Sequence, residues 1–395
     1  MASTTDKKED RLKASTRLLR SGRDKDLTGP FVNPPVVHAS TVLFETVDDM
    51  THRRQRYLYG RRGTPTSDAL EAAVSELEGA EGAALFPSGL SAAATAILSC
   101  VASGDQILIV DSVYGPVRHF ADTILKRMGV ETVYYDPSLA AGIETLFTDN
   151  TTAVYLEAPG SLTFEMQDLV AVSAIAHDRG ASVLFDNTWA TPLFFRPLEH
   201  GADLSIMAGT KYLAGHADLM LGTVAASGEP LKQLKETHGA LGVHVGPDDV
   251  FLGLRGLRTL AVRLDRHQKS AKIVAEWLAA RSEVARVLYP ALTSDPGHSL
   301  WKRDMSGATG LFGVVLNGWS EEQAKAFVDG LQLFGIGASW GGFESLAILA
   351  HPKTQRTATV WQAEGPLLRL HIGLEDPEDL IADLEAGFAR VSAAT

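Results

Sequence analysis

The chain holds a single cysteine, Cys100, among 395 residues. An intrachain disulfide therefore cannot form, and a thiolate metal cluster is ruled out. Cys100 closes the apolar stretch Ala92–Cys100, where a thiol reads as a small buried hydrophobe and not as a nucleophile. The twelve histidines show no H-x-x-x-H or other tight ligand spacing, so no metal site is expected. Excess positive charge is also missing. The formal net charge is −12, which argues against nucleic acid or an anionic membrane as the main partner. One local exception, Arg53, Arg54, Arg56, Arg61 and Arg62, suits a small anion better than a nucleic-acid strand. No apolar run approaches membrane-spanning length. The first residues carry acids and no apolar core, so neither a signal nor a transit peptide is read there, and a cytoplasmic protein is expected.

What is present is ordinary globular material, 45% hydrophobic and 21% charged, in a chain too long for one core. Residues 1–60 are polar and proline-punctuated and read as an extended arm that wraps a neighbour. From about residue 65 helical and strand patterns alternate. Leu70, Val74 and Leu77 have helical spacing, and an alanine-rich helix is read over about 89–102. Apolar β-type runs lie at 83–86, 106–110, 132–135, 153–156, 182–185, 204–207 and 222–226. Strands separated by helix-length segments predict an α/β fold with a mostly parallel, doubly wound sheet, whose ligands sit beyond the carboxyl ends of the strands. Residues 61–256 are assigned to that domain and 257–395 to a smaller C-terminal α/β domain. The latter opens with an amphipathic helix whose apolar face carries Leu257, Leu260, Leu264, Ala271, Val274 and Leu278, with Arg258, Arg263 and Arg266 placed elsewhere. Ser320–Gln323 is a capping box, and Asp376-Pro377 an N-cap followed by proline at the first helical position.

Two strand ends carry the chemistry. The run Val183-Leu184-Phe185 stops on Asp186; a second run ending at Met207 is followed by Gly209-Thr210-Lys211, 25 positions after the acid. An amine that can condense with an aldehyde, and a carboxylate that can keep a pyridine nitrogen protonated, are what pyridoxal 5'-phosphate asks of a protein. Taken singly, each residue also fits a structural role, Asp186 as a helix cap and Lys211 as a solvated surface group. Ser88-Gly89-Leu90 follows a strand and opens a helix, a place where N–H groups cradle an anion. Thr210 offers a hydroxyl, and Tyr59 and Arg61 a phenol and a guanidinium fork suited to phosphate. Tyr114, beyond another strand end, is placed to lie flat on a ring, although ordinary packing would also explain it.

The combination of Tyr59-x-Arg61, Ser88-Gly89-Leu90, Tyr114-Gly115, Asp186-Asn187-Thr188 and Thr210-Lys211-Tyr212-x-x-Gly215-His216 resembles the Cys/Met-metabolism family of pyridoxal phosphate enzymes. The likeness extends from Asn33-Pro34-Pro35 to the stretch Arg369–Asp376. Within the family Glu157–Thr163 and Ser339–Ser345 are most similar to the bacterial cystathionine β-lyase branch, while Ala338 departs from the tyrosine often found there. The resemblance implies a fold-type I pyridoxal-phosphate transferase-like architecture and a carbon–sulfur lyase of methionine biosynthesis and transsulfuration. It implies Lys211 as cofactor tether and base, Asp186 on the ring nitrogen, and Tyr114 on the ring face. Ser88, Gly89, Leu90 and Thr210 would hold the phosphate, as would Tyr59 and Arg61 reaching in from an adjacent subunit of a homotetramer, a dimer of dimers. Arg369, Ser339, Trp340 and Arg61 would bind a small amino-acid substrate, with Tyr59 and Tyr114 assisting catalysis. Two alternatives stay open: a γ-lyase, γ-synthase or methionine γ-lyase on the same scaffold, and a non-catalytic regulator that keeps the fold.

Overall fold

The computed structural model describes residues 12–394. Among these residues eleven strands are formed: β1 Gly82–Phe86, β2 Gln106–Val110, β3 Glu131–Tyr135, β4 Thr151–Glu157, β5 Ser182–Asp186, β6 Leu204–Met207, β7 Gly222–Ala226, β8 Val284–Leu288, β9 Leu311–Leu316, β10 Leu346–Ala350 and β11 Leu367–His371. The first seven make one sheet in the order β1-β7-β6-β5-β4-β2-β3. Its pairs β2–β3, β2–β4, β4–β5 and β5–β6 are parallel, whereas β7 runs against both β6 and β1. The mixed α/β class with a mostly parallel central sheet is therefore as expected. β2, β6 and β7 are buried along their whole length, which is why they read as continuous apolar runs without alternation.

Helices pack on this sheet for reasons visible in the sequence. Over Pro65–Glu78 the Thr64 hydroxyl accepts from Ser67 N–H, Pro65 takes the first helical position, and Gly79 closes the helix in a left-handed conformation. Leu70, Val74 and Leu77 are all buried, each worth about 1.5–3 kcal/mol relative to exposure. Replacing Leu70 by alanine would cost about 2–5 kcal/mol through the cavity left behind.

The remaining strands form a four-stranded antiparallel sheet, order β10-β11-β9-β8. β11 is thus flanked on both sides, and Arg369 at its centre is not an edge-strand surface residue. The long amphipathic segment is two helices, Pro247–Arg258 and Leu260–Ala279, broken at Thr259. The expected caps are present: Ser320 and Gln323 form the box, and Asp376 accepts from Glu378 N–H at 3.0 Å.

Residues 12–60 are less extended than the polar, proline-rich sequence suggests. Helices form at Ala14–Arg20, Lys25–Thr28 and Val47–His52, while 29–46 has neither helix nor strand. Leu18 is fully buried among Leu70, Val74 and Leu257, so one apolar residue at helical spacing ties this segment down. Cys100 is half-buried at the core's margin, and burial pushes its thiol up to about 11, far from a nucleophile's range. Among the described residues no helix is long and apolar enough to cross a membrane.

Candidate active site

Since β1, β2, β4, β5 and β6 point the same way, their carboxyl ends converge on one edge of the sheet. A cavity of about 500 Å³ opens there, lined by Ser88, Tyr114, Asp186, Thr210, Lys211 and Arg369 among others. These six were read as site residues from the sequence, and the fold gathers them. Gly89, Leu90 and Trp340 join them in the wall, while Ser339 meets Lys211 directly.

Lys211 sits in a turn after β6. Its Nζ donates to Ser339 Oγ at 2.7 Å and lies 5.2 Å from the Trp340 ring centroid. Burial lowers its amine to about 8, helped by the nearby Arg369 cation and opposed by Asp186. The turn is braced from below by Arg263, which is 5% exposed. Its Nη1 donates to Tyr212 O at 2.6 Å, and its Nη2 to Gly256 O and Leu213 O at 2.8 and 3.1 Å. Gly215 adopts φ +72°, and a Cβ there would fall 2.0 Å from the Arg263 guanidinium. The sequence pattern, with Arg263 set off the apolar face, gives no sign of this brace. Yet the spacing of Arg263 places it on the buried face, three residues after Leu260 and one before Leu264.

Asp186 ends β5 in register with Glu157, which ends β4. Two carboxyls side by side in a buried edge repel. Burial raises Asp186, against the pull of Thr188, whose N–H donates at 2.9 Å, and of Tyr155. Burial and Asp186 raise Glu157 well above its ordinary value. Glu157 in turn accepts from Tyr114 N–H at 2.6 Å, fixing the start of the helix that presents the Tyr114 ring. A strand-final glutamate beside the strand-final aspartate was the available sequence signal for this role.

Arg369 reaches the same cavity from β11. Its Nη2 donates to Ala338 O and Ser339 O at 2.8 and 3.1 Å, and burial lowers it to about 10, opposed by Tyr114. These contacts bind the 338–340 segment and, among the described residues, leave the other guanidinium nitrogens free for a carboxylate. That segment lies directly on the lysine turn. Gly341, at φ +86°, has its missing Cβ 2.8 Å from Tyr212 N and 3.0 Å from Lys211 Cα.

The residues fit pyridoxal phosphate by their chemistry: one low-pKa amine, one buried acid, and a helix start at Gly89. There the Ser88 side chain accepts from Ser91 N–H, and the Gly89 and Leu90 N–H groups have no hydrogen-bond partner among the described residues. The Thr210 hydroxyl, read as free for phosphate, instead donates to Leu221 O at 3.1 Å and accepts from Leu221 N–H at 2.9 Å. Tyr59 and Arg61 are not brought to this cavity. Tyr59 is exposed, and Arg61 lines a separate cleft, donating to Gly239 O at 3.1 Å.

A parallel-sheet edge carrying this amine, acid and guanidinium defines an enzyme class that handles amino acids through a bound aldehyde cofactor. The pattern described as Cys/Met metabolism PLP-dependent enzyme matches residues 15–389. The chain is 43% identical over 391 residues to cystathionine beta-lyase MetC of Escherichia coli, covering 96% of this chain and 99% of that one. It is 56% identical over 383 residues to a Rhizobium johnstonii protein provisionally named cystathionine beta-lyase, covering 96% of each. The crystal structure of cystathionine gamma synthase from Xanthomonas oryzae pv. oryzae in complex with aminoacrylate and cysteine superposes with a TM-score of 0.89 at 34% identity, covering 97% of this chain and 100% of that one. The chain belongs to the Cys/Met metabolism family of pyridoxal-phosphate-dependent enzymes.

Proposed function

We propose that this protein is a cystathionine β-lyase, cleaving L-cystathionine by α,β-elimination to homocysteine, pyruvate and ammonia within methionine biosynthesis. The observation that carries the chemistry is the Lys211 amine, held near pKa 8 in one cavity with Asp186 and Arg369. The names of the relatives support the choice of reaction.

When bound, pyridoxal phosphate supplies an electron sink for negative charge at the substrate Cα. Arg369 takes the α-carboxylate through the guanidinium nitrogens not spent on Ala338 and Ser339. Lys211 removes the Cα proton, a task its lowered pKa permits near neutrality, and returns a proton to the departing sulfur. Ser339 accepts a hydrogen bond from the amine and aims it, and the Trp340 face shields it from water. Asp186 would hold the cofactor by its ring nitrogen and keep that nitrogen protonated, and Tyr114 would pack against the ring. Ser88, Gly89, Leu90 and Thr210 would hold the phosphate, with the Gly89 and Leu90 N–H groups as donors.

In this reading residues 61–256 hold the cofactor and 257–395 bring Arg369, Ser339 and Trp340 over it. Tyr59 and Arg61, distant from Lys211 within one chain, serve the phosphate and substrate of a neighbouring subunit in a homotetramer. The lone thiol suits the reducing cytoplasm. Incubation of the purified protein with L-cystathionine tests the reaction. Pyruvate with homocysteine supports it; 2-oxobutyrate with cysteine would move the assignment to γ-cleavage, and no keto acid at all would favour a regulator.

A further inference from the structure

One wall of the Lys211 cavity comes from far along the chain, and the roles above do not use it. Residues 352–354 form a 3-10 turn that delivers a strap, residues 355–359, to the carboxyl end of β2. Beyond Gln355 the strap is bolted down. Arg356 Nη2 donates to Glu165 Oε1 at 2.8 Å and also to the Thr163 hydroxyl. The N–H groups of Thr357, Ala358 and Thr359 donate to the Asp111 carboxylate at 3.0, 3.2 and 2.7 Å, and the Thr359 hydroxyl adds a fourth bond at 2.6 Å. Arg118 pairs with the same carboxylate. Burial works to raise Asp111, but the strap donors hold it below its ordinary value, so it stays an anion and keeps all of them.

Gln355 is the polar residue left over. It is half-buried and lines the cavity, yet its side-chain amide makes no hydrogen bond among the described residues. Its Oε1 lies 3.1 Å from the point a Cβ on Gly115 would occupy, immediately after Tyr114. A side-chain amide on an anchored strap, facing substrate space with donors and acceptor unspent, is placed for a ligand. Its chemistry fits a particular kind of ligand. Lys211, Arg369 and Asp186 already serve the reacting end of an amino acid. A neutral amide can accept from an ammonium and donate to a carboxylate at once without adding charge to that cluster. Ala338, also in the wall, keeps the approach open.

We propose that Gln355 is a specificity-determining residue: its amide binds the far amino-acid end of a long thioether substrate, and Asp111 is the positioning residue that holds it there. The inference rests on the β-elimination reading and names its substrate determinant.

The test compares kcat/KM for L-cystathionine with that for S-methyl-L-cysteine, which lacks a far end, in the wild type, Gln355→Ala and Gly115→Ala. The last variant keeps the amide but pushes it aside. One lost hydrogen bond to a charged group lowers the cystathionine-to-methylcysteine ratio about tenfold, mostly through KM. Gly115→Ala shifts the ratio in the same direction. Asp111→Asn raises KM for cystathionine more than it lowers kcat. A ratio within about twofold of the wild type in both the Gln355 and Gly115 variants overturns the assignment, given the expected size of one such bond. A wild type releasing 2-oxobutyrate from cystathionine instead refutes the reaction reading. The ratio is then read on that product, where no change again overturns the role of Gln355.

Discussion

Replacing Arg263 by methionine removes the brace under the lysine turn while keeping an unbranched, apolar stem. Two carbonyls, on Tyr212 and Leu213, lose their donor, while that of Gly256 keeps the Thr259 N–H and hydroxyl. A buried acceptor left unpaired costs about 1–3 kcal/mol, so the gross loss from the two is about 2–6 kcal/mol. An opposing effect exists, because Arg263 is a buried cation among the carbonyls and has no carboxylate partner among the described residues. Its depression from 12.5 to about 10 by burial, partly offset by Tyr212, corresponds to roughly 3 kcal/mol of unfavourable charge burial, which methionine relieves. The net expectation is a destabilisation of about 1 kcal/mol, read as a lower urea midpoint. The turn it supports carries the reacting amine, and a displacement of about 1 Å at such a group can cost about a hundredfold in rate. Arg263→Met should therefore lower kcat for cystathionine cleavage as well as the midpoint. Arg263→Lys keeps the charge but not the fork, and should recover only part of either. An Arg263→Met protein with the wild-type midpoint and wild-type kcat would refute the bracing argument.

Other expectations follow from the same cavity. In cofactor-free protein the Lys211 amine gains nucleophilicity as pH rises through about 8, because burial, assisted by Arg369, disfavours its charged form. The rate of pyridoxal phosphate uptake against pH should show that midpoint; one near 10.5, the ordinary lysine value, would contradict the buried-amine geometry. Arg369→Ala removes the neighbouring cation, so the midpoint should move upward while KM for cystathionine rises strongly, and an unchanged KM would exclude Arg369 as the carboxylate ligand. Lys211→Ala should leave no cofactor covalently trapped by borohydride. If Arg61 serves a neighbour's site, mixing and reassembling inactive Lys211→Ala and Arg61→Ala subunits should restore about a quarter of wild-type activity, since half the pairs are mixed and each regains one site. No recovery would place Arg61 in its own subunit's site.

Much of this architecture was readable in the sequence, for definite reasons. Buried strands, whether parallel or, like β7, antiparallel, are continuous apolar runs, so β2 and β5–β7 were found almost residue for residue. A charged group that stops such a run must sit at the strand's end, which is why Asp186 and Lys211 stood out together. Arg263 was misplaced because residue class outweighed spacing, although its period put it beside Leu260 and Leu264. Asp111 and the strap at 357–359 are about 250 positions apart, and no local pattern reports a contact of that kind. Ser339, Trp340 and Arg369 came from family likeness alone; their convergence on Lys211 depends on how the two sheets meet.

The contact at Gly341 makes the two sheets mechanically inseparable at the reacting amine. With no side chain between them, the peptide of one unit rests on the backbone of the other. Sliding the smaller sheet even slightly would transmit to Lys211 without any slack to absorb it. A protein built this way cannot be tuned one half at a time: a substitution that repacks β9 or β11 acts on the nucleophile as directly as one made in its own turn.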